Sequence, residues 1–186
     1  MSKSMIALFT IILVFHATAH AQARIDGDWW AGASPETRRG VINGAFDCLT
    51  SEHGAKLPKL PVPELTAKVD AVLGQSGSNK TVANALLVLL PESGPAAPGG
   101  GDYSKEKHGW FDGYYWGSAA DDERYGFLVG YLSCGTDLTV STERVKGYRD
   151  QIDSWYERHP SSNAKIADVL ARVRQHSPKL TRPSDK

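Results

Sequence analysis

The stretch FDGYYWGSAADDERYGFLVGYLSC, residues 111–134, runs from an aromatic cluster through Gly126 and Gly130 to Cys134. The spacing of four puts those last three residues on one face of a helix. Much of the stretch occurs a second time, as DGDWWAGASPETRRGVINGAFDC at 26–48. The two copies align without a gap at an offset of 86, 134 minus 48, and nine of 25 positions between 26–50 and 112–136 are identical. The identities include Asp26/Asp112, Gly27/Gly113, Trp30/Trp116, Arg38/Arg124, Gly40/Gly126, Gly44/Gly130 and Cys48/Cys134. Matches at glycine, tryptophan and cysteine are individually rare, so the chain reads as a duplication of one structural unit.

The repeat continues more faintly beyond the cysteines. KVDAVL (68–73) lines up with QIDSWY (151–156), and NKTVANAL (79–86) with NAKIADVL (163–170). Between the copies lies PESGPAAPGGG (91–101), the composition of a flexible linker. This predicts helical repeats over 24–90 and 105–178, a linker over 91–104 and a disordered tail over 179–186.

Each repeat reads as three helices. Ser34-Pro35-Glu36 is an N-cap signal followed by proline at the first helical position. Leu65, Val69, Val72 and Leu73 form a helical stripe after a proline-rich loop, and Val82, Ala85, Leu86 and Leu89 form the next. In the second repeat the helices run from Ser118 or Ala119 to Cys134, from Ser141 to Arg158, and through Ile166, Val169, Leu170 and Val173. His159-Pro160 ends the middle one, because the residue before a proline is pushed out of the helical region. No period-2 strand stands out. The fold class is all-α: two tandem, pseudo-symmetric three-helix units forming one compact domain.

A mid-helix glycine costs about 1 kcal/mol against alanine, so four at matched positions call for a reason. Bare faces let two backbones approach closely, and a pseudo-two-fold axis would bring equivalent cysteines together. This predicts a Cys48–Cys134 disulfide between two closely crossing helices, with a bridge between protomers as the alternative. For a loop of this size the chain-entropy model gives at most about 4.6 kcal/mol.

The chain opens with Lys3, an apolar run from Met5 to Phe15 and an A-x-A series at 17–23. These are the parts of a secretory signal peptide over 1–21, cleaved after Ala21 or Ala23. The remaining chain, 186 minus 21, is about 165 residues with 20 basic and 21 acidic side chains. With no basic excess, a nucleic-acid partner is disfavoured. No second apolar segment is long enough for a stable membrane anchor. A periplasmic or secreted location follows, and a cysteine pair suits an oxidising compartment.

Trp29 and Trp30, with Tyr114, Tyr115 and Trp116, follow the two Asp-Gly pairs. They read either as core caps over Asp-Gly turns or as an exposed surface that stacks glycans or a partner. Arg38 and Arg124 are placed to pair with Asp26 and Asp112 and lock those turns. For catalysis there is no HExxH, GxSxG, P-loop or supported Cys/His dyad, and nothing calls for a cofactor or metal. A hydrolase would have to use His108 or His159 with the acids Asp121, Asp122 and Glu123. His53 and His176 complete the histidines of the expected folded part.

From Gly126 to about Gln175 the chain resembles the secreted immunity proteins that neutralise type VI secretion amidase effectors. The features are GFLVGYLSC (126–134), the helix ending WYERHP (155–160) and the helix NAKIADVLARV (163–173). The first repeat keeps the glycines and Cys48 but has GQSGSN in place of the His-Pro break. The resemblance implies a small, helical, periplasmic protein that acts by binding. It implies a secreted effector protein as partner and leaves homo-oligomers open.

Overall fold

The computed structural model describes residues 22–52, 54, 61–76, 82–89, 111–134, 139–160 and 162–176. The expected signal peptide, the linker, the tail, His53 and His108 lie outside them.

Among the described residues the chain is mostly helical, as expected. The elements in order are β1 (Gln22–Arg24), α1 (Gly27–Gly32), α2 (Pro35–Ser51), α3 (Val62–Ser76), α4 (Val82–Leu89), α5 (Gly113–Ser118), α6 (Asp121–Ser133), β2 (Thr139–Ser141), α7 (Thr142–Arg158) and α8 (Ile166–His176). None of these helices is long and apolar enough to cross a membrane.

Local chemistry sets most of the boundaries. Ser34 caps α2 by accepting from the Thr37 amide at 3.2 Å, with Pro35 in the first turn. Ser141 caps α7 through the Arg144 amide, and His159 ends it as expected. The helix α3 begins at Val62, inside the proline-rich segment expected to be a loop. Pro63 sits in its first turn, where a missing N–H costs nothing.

The Asp-Gly pairs are not plain turns. Each opens a six-residue helix, α1 or α5. Asp26 caps α1 by accepting from the Trp29 amide at 3.1 Å, and Asp112 caps α5 by accepting from Tyr114 at 2.9 Å. Four free N–H groups at a helix start make a carboxylate the natural partner.

Two short strands add to the helices. β1 pairs antiparallel with β2, Ala23 opposite Val140. Three residues per strand are too few to show an alternating pattern in sequence.

The helices α2 and α6 cross face to face through the glycines. A Cβ on Gly40 would overlap the Glu123 carbonyl and lie 2.7 Å from the Phe127 amide nitrogen. One on Gly44 would overlap the Phe127 carbonyl. In return, Gly126 faces the Thr37 carbonyl and Gly130 faces that of Val41. At the end of this seam Cys48 and Cys134 form the disulfide within the chain, their Cα atoms 6.3 Å apart. Their fractional exposures of 2% and 8% leave the bridge buried.

The core continues on both sides of the seam. Val41, Ile42 and Phe46 pack with Leu65, Val69 and Leu86. Phe127 joins Phe111, Tyr115 and Trp116, with ring centroids 5.4, 5.5 and 6.4 Å away. The two sides share a further tie. The Val82 amide donates to the Ile25 carbonyl and the Ile166 amide to the Phe111 carbonyl, both at 3.0 Å.

Candidate functional site

The aromatic surface expected at the Asp-Gly segments is mostly interior. Trp30, Tyr115 and Trp116 are buried at 2%, 0% and 1% exposure. Trp29 is half-buried against the core, and Tyr114 stands out at 55%. In a short helix adjacent residues point about 100° apart, so Trp30 enters the core while Trp29 is only half-buried, and Tyr115 and Trp116 enter it while Tyr114 turns outward. As a contact surface the set reduces to Trp29 and Tyr114.

The buried indoles find polar partners, as buried Trp N–H groups must. Trp30 Nε1 donates to Asp70 Oδ1 at 2.5 Å, and Trp116 Nε1 to Asp153 Oδ1 at 2.6 Å. Arginines complete both sets. Arg124 contacts Asp153 at 3.1 Å, and Arg38 lies 3.7 Å from Asp70. Arg38 also donates to the Trp30 and Ala31 carbonyls at 2.9 Å, and Arg124 pairs with Asp121. The expected pairing of Arg38 with Asp26 and Arg124 with Asp112 is therefore replaced. Asp26 and Asp112 cap helices, and the arginines reach across to α3 and α7.

Of the acids weighed for catalysis, Asp122 and Glu123 lie at the α2–α6 seam, while Asp121 is exposed and pairs with Arg124. Glu123 is 5% exposed. It accepts from Arg39 Nε at 2.9 Å and from the Tyr115 hydroxyl at 3.1 Å. Burial works against the Arg39 charge, but the hydrogen bond and negative charge of Glu123 outweigh it and raise its pKa. Asp122 accepts from Ser34 at 3.0 Å. His159 sits at the end of α7, its ring stacked on Trp155 with centroids 4.3 Å apart and its Nδ1 2.7 Å from the Trp155 carbonyl. Among the described residues no contact joins His159 to the three acids.

A groove of about 300 Å³ lies between α7 and α8, lined by Gln151, Trp155, Arg158, Arg172, Val173 and His176. Val173 is the buried floor, Trp155 is half-buried, and Arg158, Arg172 and His176 are exposed. Arg158 Nε donates to the Ser154 carbonyl at 2.9 Å, which orients the guanidinium at the rim. Among the described residues neither Arg158 nor Arg172 has an ion pair. No lining residue is acidic.

This groove does not stand out in the sequence as a site, although a signal for it is present there. The repeat alignment carries offsets of 83 (151 minus 68) and 84 (163 minus 79). The groove positions then correspond to Lys68, Val72, Gln75, Val88, Leu89 and Glu92. The seam glycines and the Trp, Asp and Arg of the buried sets recur at aligned positions, whereas Trp155, Arg158, Arg172 and His176 have no identical residue there.

No family model, curated protein or solved structure matches the chain.

Proposed function

We propose that the chain is a helical binding protein of an oxidising compartment, periplasmic or secreted, acting as an immunity-type inhibitor of a secreted cell-wall amidase. It is built from two tandem, pseudo-symmetric units. The reciprocal glycine contacts at the α2–α6 seam and the paired Trp–Asp–Arg sets support that arrangement. The buried disulfide supports the compartment, since such bonds persist where thiols are not kept reduced.

One observation carries the binding role. What the copies share joins them along the glycine seam and ties each one internally through its Trp–Asp–Arg set, and the second copy adds a face of arginines, a histidine and a tryptophan over α7 and α8. The first copy carries none of these four side chains at the aligned positions, so the repeat as such does not call for them. Arginine and tryptophan dominate the energetic centres of protein interfaces.

The test is co-expression with a secreted amidase encoded beside this chain, both directed to the periplasm. The expected result is co-purification and protection from lysis. Lysis unaffected by the chain, with both proteins folded and exported, overturns the proposal.

A further inference from the structure

Where the copies of a duplicated chain diverge, the differences mark what one copy does beyond folding. At the α7–α8 groove the divergence is chemical. In the sequence alignment Arg158, Arg172 and His176 match Gln75, Val88 and Glu92. Trp155 matches Val72. Two guanidiniums without ion pairs at one groove form a site for planar anions, because each offers parallel N–H donors that match a carboxylate. Val173 and Trp155 add apolar lining to the same groove.

The size of the groove separates classes of ligand. At about 300 Å³ it lies at the lower end of small-molecule cavities, and its charged groups stand exposed at the rim. A free small anion would stay largely in water there. A peptide segment can place carboxylates on the rim while an apolar side chain covers Val173.

We propose that the α7–α8 groove binds an acidic segment of a partner protein, its carboxylates held by Arg158 and Arg172 beside Trp155. This rests on the protein-binding role proposed above and names the chemistry of the partner's contact.

The experiment uses the full mature chain with its disulfide intact, ¹⁵N-labelled, titrated with a hexaglutamate peptide at fixed ionic strength. Hexalysine and inorganic phosphate serve as comparison probes. Saturable shifts are expected at the Trp155 indole and the backbone amides of Arg158, Arg172 and His176, with hexaglutamate alone. The Arg158→Ala/Arg172→Ala variant should bind at least about tenfold more weakly, the scale of a lost charge-assisted contact. Arg158→Lys/Arg172→Lys keeps the charge without the fork and should fall between. An unchanged affinity in the alanine variant, with its helical circular dichroism intact, overturns the site. Equal shifts with phosphate reassign the groove to small anions and overturn the peptide. Shifts that grow with protein concentration before any peptide is added make a second copy the occupant and overturn it as well. The two proposals fail separately. Protection from the amidase that survives the alanine variant removes the groove and leaves the inhibitor. Peptide binding without protection retains the groove and removes the inhibitor.

Discussion

Trp116 Nε1 donates to Asp153 Oδ1 at 2.6 Å, tying α5 to the middle of α7. The same carboxylate takes Arg124 at 3.1 Å, so one acid satisfies a buried indole and positions a guanidinium. The matching bond from Trp30 to Asp70 sits in a wetter place. The Asp70 side chain is 45% exposed and that of Asp153 is 27%. Removing an acceptor costs more where water cannot replace it. Asp153→Ala should therefore destabilise by about 1–3 kcal/mol, and Asp70→Ala by about 1 kcal/mol or less. Chemical denaturation of both variants checks the order. Equal losses would show that burial does not set the difference.

The glycine seam makes a sharper comparison. A Cβ on Gly44 meets backbone, the Phe127 carbonyl and the Tyr131 amide nitrogen at 2.9 Å, which no rotamer change relieves. Gly44→Ala should cost about 1–3 kcal/mol or more, outweighing its gain of roughly 1 kcal/mol in helix propensity. A Cβ on Gly117 would meet nothing within 4 Å beyond its own helix backbone and chain neighbours, so Gly117→Ala should be neutral or mildly stabilising. Thermal melts of the pair measure the contrast. A stable Gly44→Ala protein would mean that α2 and α6 do not meet here.

The disulfide closes a loop with a sequence separation of 86 and is buried. A Cys48→Ser/Cys134→Ser variant should lose about 2–5 kcal/mol, a fall in Tm on the order of 10 °C. Thiol labelling of the unfolded, unreduced wild type should find no free cysteine. Two labelled thiols in protein recovered from an oxidising compartment would contradict the bridge.

Alkaline pH should weaken the fold. Burial, reinforced by the hydrogen bond to Glu52, raises the Tyr131 pKa, and burial raises that of Tyr156. Both hydroxyls donate, Tyr131 to Glu52 and Tyr156 to the Ala164 carbonyl, each at 2.8 Å. A phenol raised in the folded state contributes fully below the unfolded value near 10 and loses that contribution as pH climbs toward the folded value. Stability should thus be flat through neutrality and fall above about pH 10, less steeply in Tyr131→Phe and Tyr156→Phe. Denaturant midpoints between about pH 8 and pH 11 test this. A Tyr131→Phe slope identical to wild type would remove Tyr131 as a source.

Much of the architecture was legible in one dimension, for a physical reason. Helices declare themselves through local periodicity and caps, as Ser34-Pro35 and Leu65/Val69/Leu73 do. A spacing of four places Gly40, Gly44 and Cys48 on one face whatever surrounds them. The offset between Cys48 and Cys134, repeated at Gly40/Gly126 and Gly44/Gly130, then implied that the two faces meet. Tertiary structure alone decided the rest, because the deciding partners are distant in sequence. Asp70 and Asp153 took Arg38 and Arg124 from the nearer Asp26 and Asp112, since those two carboxylates were bound to the free amides of α1 and α5. A six-residue helix has too little periodicity to say that Trp30 and Trp116 turn inward while Tyr114 turns out. The α7–α8 groove belongs to two helices at once. Arg158 and Arg172 become neighbours only when Val173, Ile152 and Tyr156 bury their apolar surface and draw those helices together.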